Sequence, residues 1–237
     1  MRSDGRQPHD LRPVQFERGF VRTAVGSCLA SFGKTRVICT VSAEDGVPGW
    51  MHGRGRGWLT AEYSMLPAST GRRKARDGRR GGHVDGRTIE IQRLIGRTLR
   101  PSIDLDRLGE ITLHVDCDVL EADGGTRTCA ISGASVALGE AIEALATSGR
   151  VPADAFAHRI AAVSVGVVDD RVVLDLPYEE DSRAQSDMNV VMDDSGRFLE
   201  VQASAEGRPF SRDDLNGALD LAASGIGRIL EIASEGR

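Results

Sequence analysis

The sequence contains no run of about 18 apolar residues, the length with which a helix crosses a membrane. Its first residues, Met1 to Arg6, lack the apolar centre of a secretory signal. We therefore expect a protein that has no membrane partner and resides in the cytoplasm. The chain has 237 residues, 40% of them hydrophobic, and can bury a sizeable core as one domain or as two fused halves.

Cysteine pairs of the C-x-x-C type are also absent, which argues against a zinc site and against a disulfide framework. The four cysteines stand in strand-like segments or at a helix start: Cys28, Cys39, Cys117 and Cys129. We expect all four thiols to be buried as small hydrophobic groups. The G-x-x-x-x-G-K-S/T spacing of a P-loop is missing too, and this disfavours a small-molecule phosphotransferase.

Two short segments carry residues suited to phosphate chemistry. In the first, Asp123 to Thr128, adjacent glycines let the backbone approach an oxyanion, and Arg127 presents a fork of donors that matches phosphate oxygens. The apolar pattern from Ala130 to Leu145 predicts a helix whose N-terminus lies behind the same point. The second segment, Tyr178 to Asn189, is rich in carboxylates that suit a metal ion. Phosphate chemistry is therefore the first hypothesis.

Both segments also allow a purely structural interpretation. Gly124 and Gly125 suit a tight turn that enters a helix, although a second Gly-Arg step before a helix, at Gly86 and Arg87, favours a shared anion site. The carboxylates of the second segment suit a solvated loop equally well when they are considered alone.

The net charge of -5 is unevenly distributed along the chain. A loop at about residues 69–83 is rich in glycine and arginine. Only Asp77 opposes its six basic side chains, which are Arg72, Arg73, Lys74, Arg76, Arg79 and Arg80. Such a basic loop either binds a polyanion or is simply solvated, and its composition does not choose between the two.

A basic amphipathic helix is predicted directly after this loop. From Thr88 to Arg100 the apolar residues recur with the helical period, while Arg93, Arg97 and Arg100 fall on the opposite side. A surface of this kind follows a nucleic-acid backbone by charge without reading its bases, and it also suits an oligomer contact. The helix therefore adds weight to the polyanion hypothesis for the adjoining loop.

Alternating apolar and polar residues predict strands in both halves of the chain. The pattern occurs in three hairpins and one single strand: Ser27 to Ala43, Ile160 to Leu176, Met188 to Ala203, and Ile111 to Leu120. A closing helix is expected after Ser211, which forms a capping-box pattern with Asp214. These elements indicate the α+β class, and their recurrence is compatible with an internal duplication.

Longer motifs in a fixed order cover nearly the whole chain. They are Arg6 with Leu11 to Val14 and Glu17 to Phe20, Gly57 to Pro67, Gly86-Arg87 with Glu90 to Arg97, Asp116 to Leu120 leading into Ala122 to Thr128, and the Asp181 and Asp187 segment. With these motifs the chain resembles RNase PH, a bacterial family of phosphate-dependent 3′-to-5′ exoribonucleases of transfer RNA maturation. The resemblance implies a duplicated βαβ-type core similar to domain 2 of ribosomal protein S5. It further implies one domain of two similar halves over residues 1–237, assembled as a homo-hexamer that is a trimer of dimers.

The reaction implied by this resemblance needs no serine or cysteine nucleophile from the protein. Inorganic phosphate would attack the last phosphodiester of an RNA, such as a transfer RNA precursor, and release a nucleoside diphosphate. The resemblance assigns the attacking phosphate to four residues: Arg87, Gly125, Thr126 and Arg127. Asp181 and Asp187 would be the catalytic carboxylates that bind Mg²⁺, and Asp187 would alternatively protonate the leaving 3′ oxygen.

One departure from the family pattern bears on RNA binding. Ala68 stands where relatives commonly carry an arginine that is associated with transfer RNA. RNA contact would then rest on the basic loop and on the basic helix, through Arg72, Arg73, Arg76, Arg93 and Arg97. A milder departure, Ala203 and Ser204 in place of Gly and Thr, leaves the proposed phosphate and metal residues unchanged.

A competing interpretation is a catalytically silent RNA-binding ring subunit of the exosome type. Exosome relatives keep this fold without all of the active-site residues. The joint presence of the proposed phosphate and metal residues argues against a silent subunit. Nucleotide release measured with and without phosphate separates the two interpretations.

Overall fold

The computed structural model describes residues 2–76, 84–207 and 209–235. Within these residues nine strands form two sheets and four helices pack with them, so the expected α+β class is confirmed. The strands are β1 (Val14–Arg18), β2 (Gly26–Phe32), β3 (Thr35–Asp45), β4 (Trp58–Met65), β5 (Ile111–Glu121), β6 (Ile160–Val168), β7 (Arg171–Leu174), β8 (Ser186–Asp193) and β9 (Phe198–Ala205). The helices are α1 (Gly86–Leu99), α2 (Thr126–Thr147), α3 (Tyr178–Asp181) and α4 (Arg212–Glu235).

The first sheet has the strand order β1-β2-β3-β5-β4. The β2 to β3 hairpin turns at Gly33, whose φ of +59° favours glycine. β4 and β5 are parallel, and α1 supplies the crossover that a parallel pair requires. Because β4 and β5 run in the same direction, the residues that follow β5 lie at the sheet edge where β4 also ends.

The second sheet has the strand order β7-β6-β8-β9, and each of its neighbouring pairs is antiparallel. Its first hairpin turns at Asp169 and Asp170, with φ values of +50° and +58°. Two successive positive φ angles are the signature of a type I′ turn, which suits the twist of a two-residue hairpin. The β8 to β9 hairpin places Asp187 opposite Ser204.

The core helix α2 contacts both sheets. It packs on β2, β3 and β5 of the first sheet and on β6 and β8 of the second. Because several of its sides face apolar surfaces, it is the one described helix that is long and apolar enough to cross a membrane. Of its apolar stretch, 72% is buried inside the protein, as expected for a helix at the centre of a core.

Most of the predicted elements are confirmed. The three hairpins and the single strand form where the alternation predicts them. Ser211 and Asp214 make the capping box of α4, with the Asp214 N–H donating to Ser211 Oγ at 3.1 Å and the Ser211 N–H donating to Asp214 Oδ2 at 2.8 Å. The strands β1 and β4 lie outside the predicted elements, and each is an edge strand of its sheet.

The start of α2 differs from the prediction. The helix begins at Thr126, not at Ala130. Apolar periodicity reports only the residues that face the core, and the first turn of α2 carries polar side chains that no such pattern detects. The phosphate segment therefore includes the helix N-terminus itself.

The four cysteines behave as expected. All are free and buried. Cys28, Cys39 and Cys117 lie opposite one another on the adjacent strands β2, β3 and β5. Burial raises the pKa of the Cys28 thiol to about 12, so this group is unreactive at neutral pH.

The basic loop is only partly described. Arg72, Arg73 and Arg76 are exposed. Residues 77–83, which include Arg79 and Arg80, lie outside the described residues.

Candidate functional site

The glycine turn before α2 is shaped by close packing. Gly124 and Gly125 have φ values of +74° and +64°. A Cβ atom on Gly124 would lie 2.5 Å from the carbonyl oxygen of Leu176 and 2.7 Å from the backbone nitrogen of Tyr178. Only glycine allows the chain before α2 to pass this close to the chain before α3.

The N-terminus of α2 has no side-chain cap. Gly125 is the N-cap residue, and it provides no side chain to accept from the first amides of the helix. The Cys129 N–H makes the first helical bond, to Gly125 O at 3.0 Å. The preceding amides of the first turn, together with the helix dipole, suit a phosphate group.

Tyr63 supports the same turn from β4. It is buried, and its hydroxyl donates to Thr126 Oγ1 at 2.8 Å. Burial raises the pKa of Tyr63, while the bond to Thr126 and the charges of Arg87 and Arg127 act against that rise. From the sequence we expect Tyr63 to be a packing residue, and its burial confirms this. The contact with Thr126 adds a role that the sequence did not indicate.

Two arginines approach the site from different helices. Arg127, in the first turn of α2, has Nη2 at 3.5 Å from Glu90 Oε2 and Nη1 at 3.5 Å from Gln202 Oε1. Arg87 lies exposed in the first turn of α1, where its N–H bonds the capping side chain of Asp85. Both guanidinium charges lower the pKa of Asp181, so both lie near this carboxylate.

Asp181 and Asp187 form the acidic part of the site. Asp181 ends α3 and Asp187 lies on β8, and both are half-buried. Burial raises the pKa of Asp187 to about 6, and the charge of Asp181 adds to this, whereas Arg127 and a hydrogen bond from Asn189 lower it. Burial also raises the pKa of Asp181. The two carboxylates therefore repel each other at neutral pH in the absence of a cation.

These carboxylates fit a divalent cation. The Oδ1 atom of Asp187 is buried and has no hydrogen-bond partner among the described residues, and its Oδ2 accepts from Asn189 at 3.3 Å. An unpaired buried carboxylate oxygen needs a cation or a proton. Within the described residues no group of three or more metal-ligating side chains forms. Mg²⁺ commonly takes one or two carboxylates and completes its shell with phosphates and water.

The predicted RNA-binding arginines lie in different surroundings. Arg93 is exposed on α1, as predicted for the basic stripe. Arg97 forms an ion pair with Glu200 of β9 at 2.7 Å, so part of its charge is already compensated. Arg100 donates to Leu59 O at 3.0 Å and lies 4.4 Å from the ring centre of Trp58. Arg100 therefore anchors β4, and the open basic stripe is shorter than predicted.

Trp50 corrects another expectation. From the sequence we expect both tryptophans to be packing residues. Trp50, however, is 59% exposed. It meets Trp58 edge to face, with ring centres 4.9 Å apart.

Two buried arginines pair with carboxylates next to the candidate site, and the sequence did not predict either pair. Arg2 bonds Glu180 at 2.7 Å, and Arg12 bonds Asp175 at 2.6 Å. Arg12 lies within the motif from Leu11 to Val14, but a motif alone does not identify the partner of a residue, and Arg2 lies outside the motifs.

Comparison with known proteins identifies the family of the chain. The model of the 3′ exoribonuclease family, domain 1, matches residues 10–142, and the model of domain 2 matches residues 158–225. These two ranges separate the first sheet with most of α2 from the second sheet with most of α4. The two matches are consistent with the S5-like fold that the resemblance implies.

Solved structures show the same fold. Rrp46 of rice (Oryza sativa) matches with a TM-score of 0.79 and 22% identity over 98% of each chain. A chain of the Archaeoglobus fulgidus exosome with RNA bound to the active site matches with a TM-score of 0.79 and 20% identity, over 97% of this chain and 91% of that one. A chain of an archaeal exosome core has a TM-score of 0.75 and 20% identity, over 98% of this chain and 90% of that one.

Proposed function

Because the chain belongs to the 3′ exoribonuclease family, we propose that it is a phosphate-dependent enzyme that trims the 3′ ends of transfer RNA precursors. One observation carries the proposal. Arg87 and Arg127 converge with Asp181 and Asp187 at an uncapped helix N-terminus, although these residues come from four separate elements. A site with cationic, anionic and amide groups is suited to bringing two phosphates together.

The arginines and the α2 amides would hold the attacking inorganic phosphate. Thr126 keeps the first turn in place through its bond from Tyr63. Arg127 is already held between Glu90 and Gln202, so little side-chain freedom is lost when it binds an anion. Fixed positive charge next to the phosphate stabilises the charge that builds up as its oxygen attacks phosphorus.

The carboxylates would act on the leaving group, either through Mg²⁺ or by donating a proton. Asp181 and Asp187 would hold Mg²⁺, which supplies neutralisation of phosphate charge when it is bound. A pKa of about 6 leaves Asp187 able to carry a proton near neutral pH, so protonation of the leaving 3′ oxygen is a second role open to it. Asn189 orients the carboxylate through its bond to Oδ2.

We propose RNA as the partner and a homo-hexamer, a trimer of dimers in the cytoplasm, as the assembly. The exposed arginines Arg72, Arg73, Arg76 and Arg93 support contact with a polyanion, with Arg97 beside them. Two of the similar solved chains come from exosome assemblies, one of them with RNA bound to its active site.

A second candidate is a catalytically silent RNA-binding ring subunit. Two of the solved structures described above come from exosome assemblies, and their likeness fits such a subunit at least as well as it fits a bacterial enzyme. The complete set of arginines and carboxylates at the site favours the active enzyme.

Nucleotide release from a short RNA separates the two candidates. The active enzyme should release nucleoside diphosphates only when inorganic phosphate and Mg²⁺ are present. Arg127→Ala should raise the apparent KM for phosphate by about 10- to 100-fold, because a hydrogen bond to a charged group is lost. Arg171→Ala, an exposed arginine of β7, is the matched control and should retain the wild-type KM. Release of monophosphates without phosphate would identify a hydrolase, and no release in any buffer would identify a silent subunit.

A further inference from the structure

One buried guanidinium connects the two segments that carry the candidate site. Arg12 precedes β1, and only 5% of it is exposed. Its Nη1 donates to Asp123 O at 2.5 Å, and its Nη2 lies 3.5 Å from Gly124 O. The same group donates to both carboxylate oxygens of Asp175, from Nη2 at 2.6 Å and from Nε at 3.0 Å.

Asp175 belongs to the other segment, between β7 and α3. It is fully buried and has a φ of +54°, an uncommon conformation for a residue other than glycine. Burial by itself raises the pKa of Asp175, but the charges and bonds of Arg12 and Arg6 outweigh burial and hold that pKa below its ordinary value. Arg2 and Arg6 both donate to its carbonyl oxygen at 3.0 Å. The carboxylate is therefore ionised and held in one place.

Asp175 is connected to both parts of the site. The next residues, Leu176 to Tyr178, form the backbone on which Gly124 packs, and they lead directly into α3 with Asp181 at its end. On the other side, Arg12 holds the carbonyls of Asp123 and Gly124, immediately before the N-terminus of α2. A Cβ on Gly125 would lie 3.1 Å from Arg12 Nη2, so the guanidinium lies directly behind the turn.

We propose that Arg12 is a positioning residue that sets the distance between the phosphate-binding turn at Gly124 and Gly125 and the carboxylate segment that follows Asp175. This inference rests on the proposed phosphate chemistry of that turn. Arg12 contacts the backbone of the turn, not the substrate, and therefore acts through the α2 amides and Arg127.

The geometry requires arginine at this position. A planar guanidinium can bond a carboxylate along one edge and backbone carbonyls along another, whereas the ammonium group of lysine is a compact charge on a single atom. Arg12→Lys keeps the ion pair with Asp175 and so avoids an uncompensated buried carboxylate, but it loses the bonds to Asp123 and Gly124.

The test measures phosphate binding apart from turnover. Inorganic phosphate should raise the melting temperature of the wild-type protein as its concentration increases, and the midpoint of this rise gives the affinity. Arg12→Lys should weaken the affinity for phosphate by about 10- to 100-fold, the scale expected when a binding group is misplaced. RNA affinity in the absence of phosphate should remain at the wild-type value.

A matched control lies at the other end of β1. Arg18 also donates to a backbone carbonyl, Ala233 O, at 2.7 Å. Arg18→Lys loses a comparable bond far along the strand and should leave phosphate affinity unchanged. If Arg12→Lys does not fold, the double variant Arg12→Gln with Asp175→Asn replaces both charges by a neutral pair and should show the same selective loss.

The outcomes distinguish this inference from the proposed function. If wild-type protein neither responds to phosphate nor releases diphosphates, both are overturned. If Arg127→Ala loses the phosphate response while Arg12→Lys retains wild-type affinity, only the positioning role is overturned. If Arg12→Lys weakens the affinities for phosphate and for RNA equally, the substitution causes a general structural loss, and the positioning role is also overturned.

Discussion

At the scale of single residues, the proposed chemistry depends on the surroundings of Asp187. Its pKa is raised to about 6 by burial and by the nearby charge of Asp181, and one of its oxygens has no partner among the described residues. A free carboxylate in this position is unfavourable, so it takes either a cation or a proton. The two roles predict opposite pH dependence, because a ligand must be ionised and a proton donor must be protonated.

Asp187→Asn should lower turnover by about 100-fold or more, because the amide neither binds Mg²⁺ well nor carries the required proton. Phosphate and RNA affinities should remain. If Asp187 is a metal ligand, wild-type activity should fall as the pH drops below its pKa, and added Mg²⁺ or Mn²⁺ should restore part of the activity of the variant. If it is the proton donor, wild-type activity should fall as the pH rises above its pKa, and added metal should restore nothing.

Steady-state rates over a range of pH and metal concentration provide this measurement. Asp169→Asn is a suitable control, since Asp169 is an acidic residue in the β6 to β7 turn, paired with Arg183. Near-normal turnover of Asp187→Asn at low Mg²⁺ would remove Asp187 from the site and would leave Asp181 as the carboxylate to examine.

At the scale of elements, the decisive contact is between the turn before α2 and the backbone before α3. Gly124 is needed there both for its positive φ and for the space that its missing Cβ provides. The two requirements differ in cost. A left-handed conformation costs an alanine about 1–2 kcal/mol, and forcing extra atoms into packed structure costs about 1–3 kcal/mol more.

Gly124→Ala should therefore lower the free energy of unfolding by about 2–5 kcal/mol. Gly109 isolates the conformational part, because its φ of +67° is similar to the +74° of Gly124, whereas a Cβ added to Gly109 would point into open space. Gly109→Ala should cost only about 1–2 kcal/mol. Denaturant unfolding of both variants provides the comparison. Equal costs would show that the approach of the two segments contributes nothing.

At the scale of the whole molecule, charge is segregated. The net charge is -5, yet the described part of the basic loop presents Arg72, Arg73 and Arg76 to solvent close to the end of β4. Arg76 also lowers the pKa of Asp118, which burial raises, so the charge of Arg76 lies near this carboxylate of β5. A basic region on an acidic protein attracts a polyanion while the remaining surface repels it.

Replacing Arg72, Arg73 and Arg76 together with alanine should weaken binding of structured RNA and reduce its salt dependence. Each lost phosphate contact lowers the slope of log affinity against log salt by about 0.7 to 0.9. Turnover of a short single-stranded RNA should change less, because the proposed catalytic residues lie elsewhere. Binding titrations at several salt concentrations measure both quantities.

A charge-matched control uses three exposed arginines elsewhere in the chain, Arg22, Arg171 and Arg212. Their replacement changes the net charge equally but should leave the salt slope at the wild-type value. An unchanged affinity and slope in the loop variant would show that the loop is only solvated.

Local pattern determined much of this protein. Alternation predicts the three hairpins and the long strand β5, and Ser211 with Asp214 predicts the start of α4. These features can be predicted because capping, turn geometry and alternation depend on residues only a few positions apart in the chain. The motifs at Gly124 to Arg127 and at Asp187 also predict the candidate phosphate chemistry without any tertiary contact.

Only the tertiary structure decided which side chains meet. Arg97 pairs with Glu200 and Arg12 with Asp175, partners that lie on distant segments and that no spacing rule connects. Burial was equally undetermined by pattern, since Trp50 is exposed and Asp175 is fully buried against the trend of their types. The reason is physical: sheet and helix packing brings distant segments together through the sum of many apolar contacts, and the polar pairs that form at those junctions depend on the final geometry.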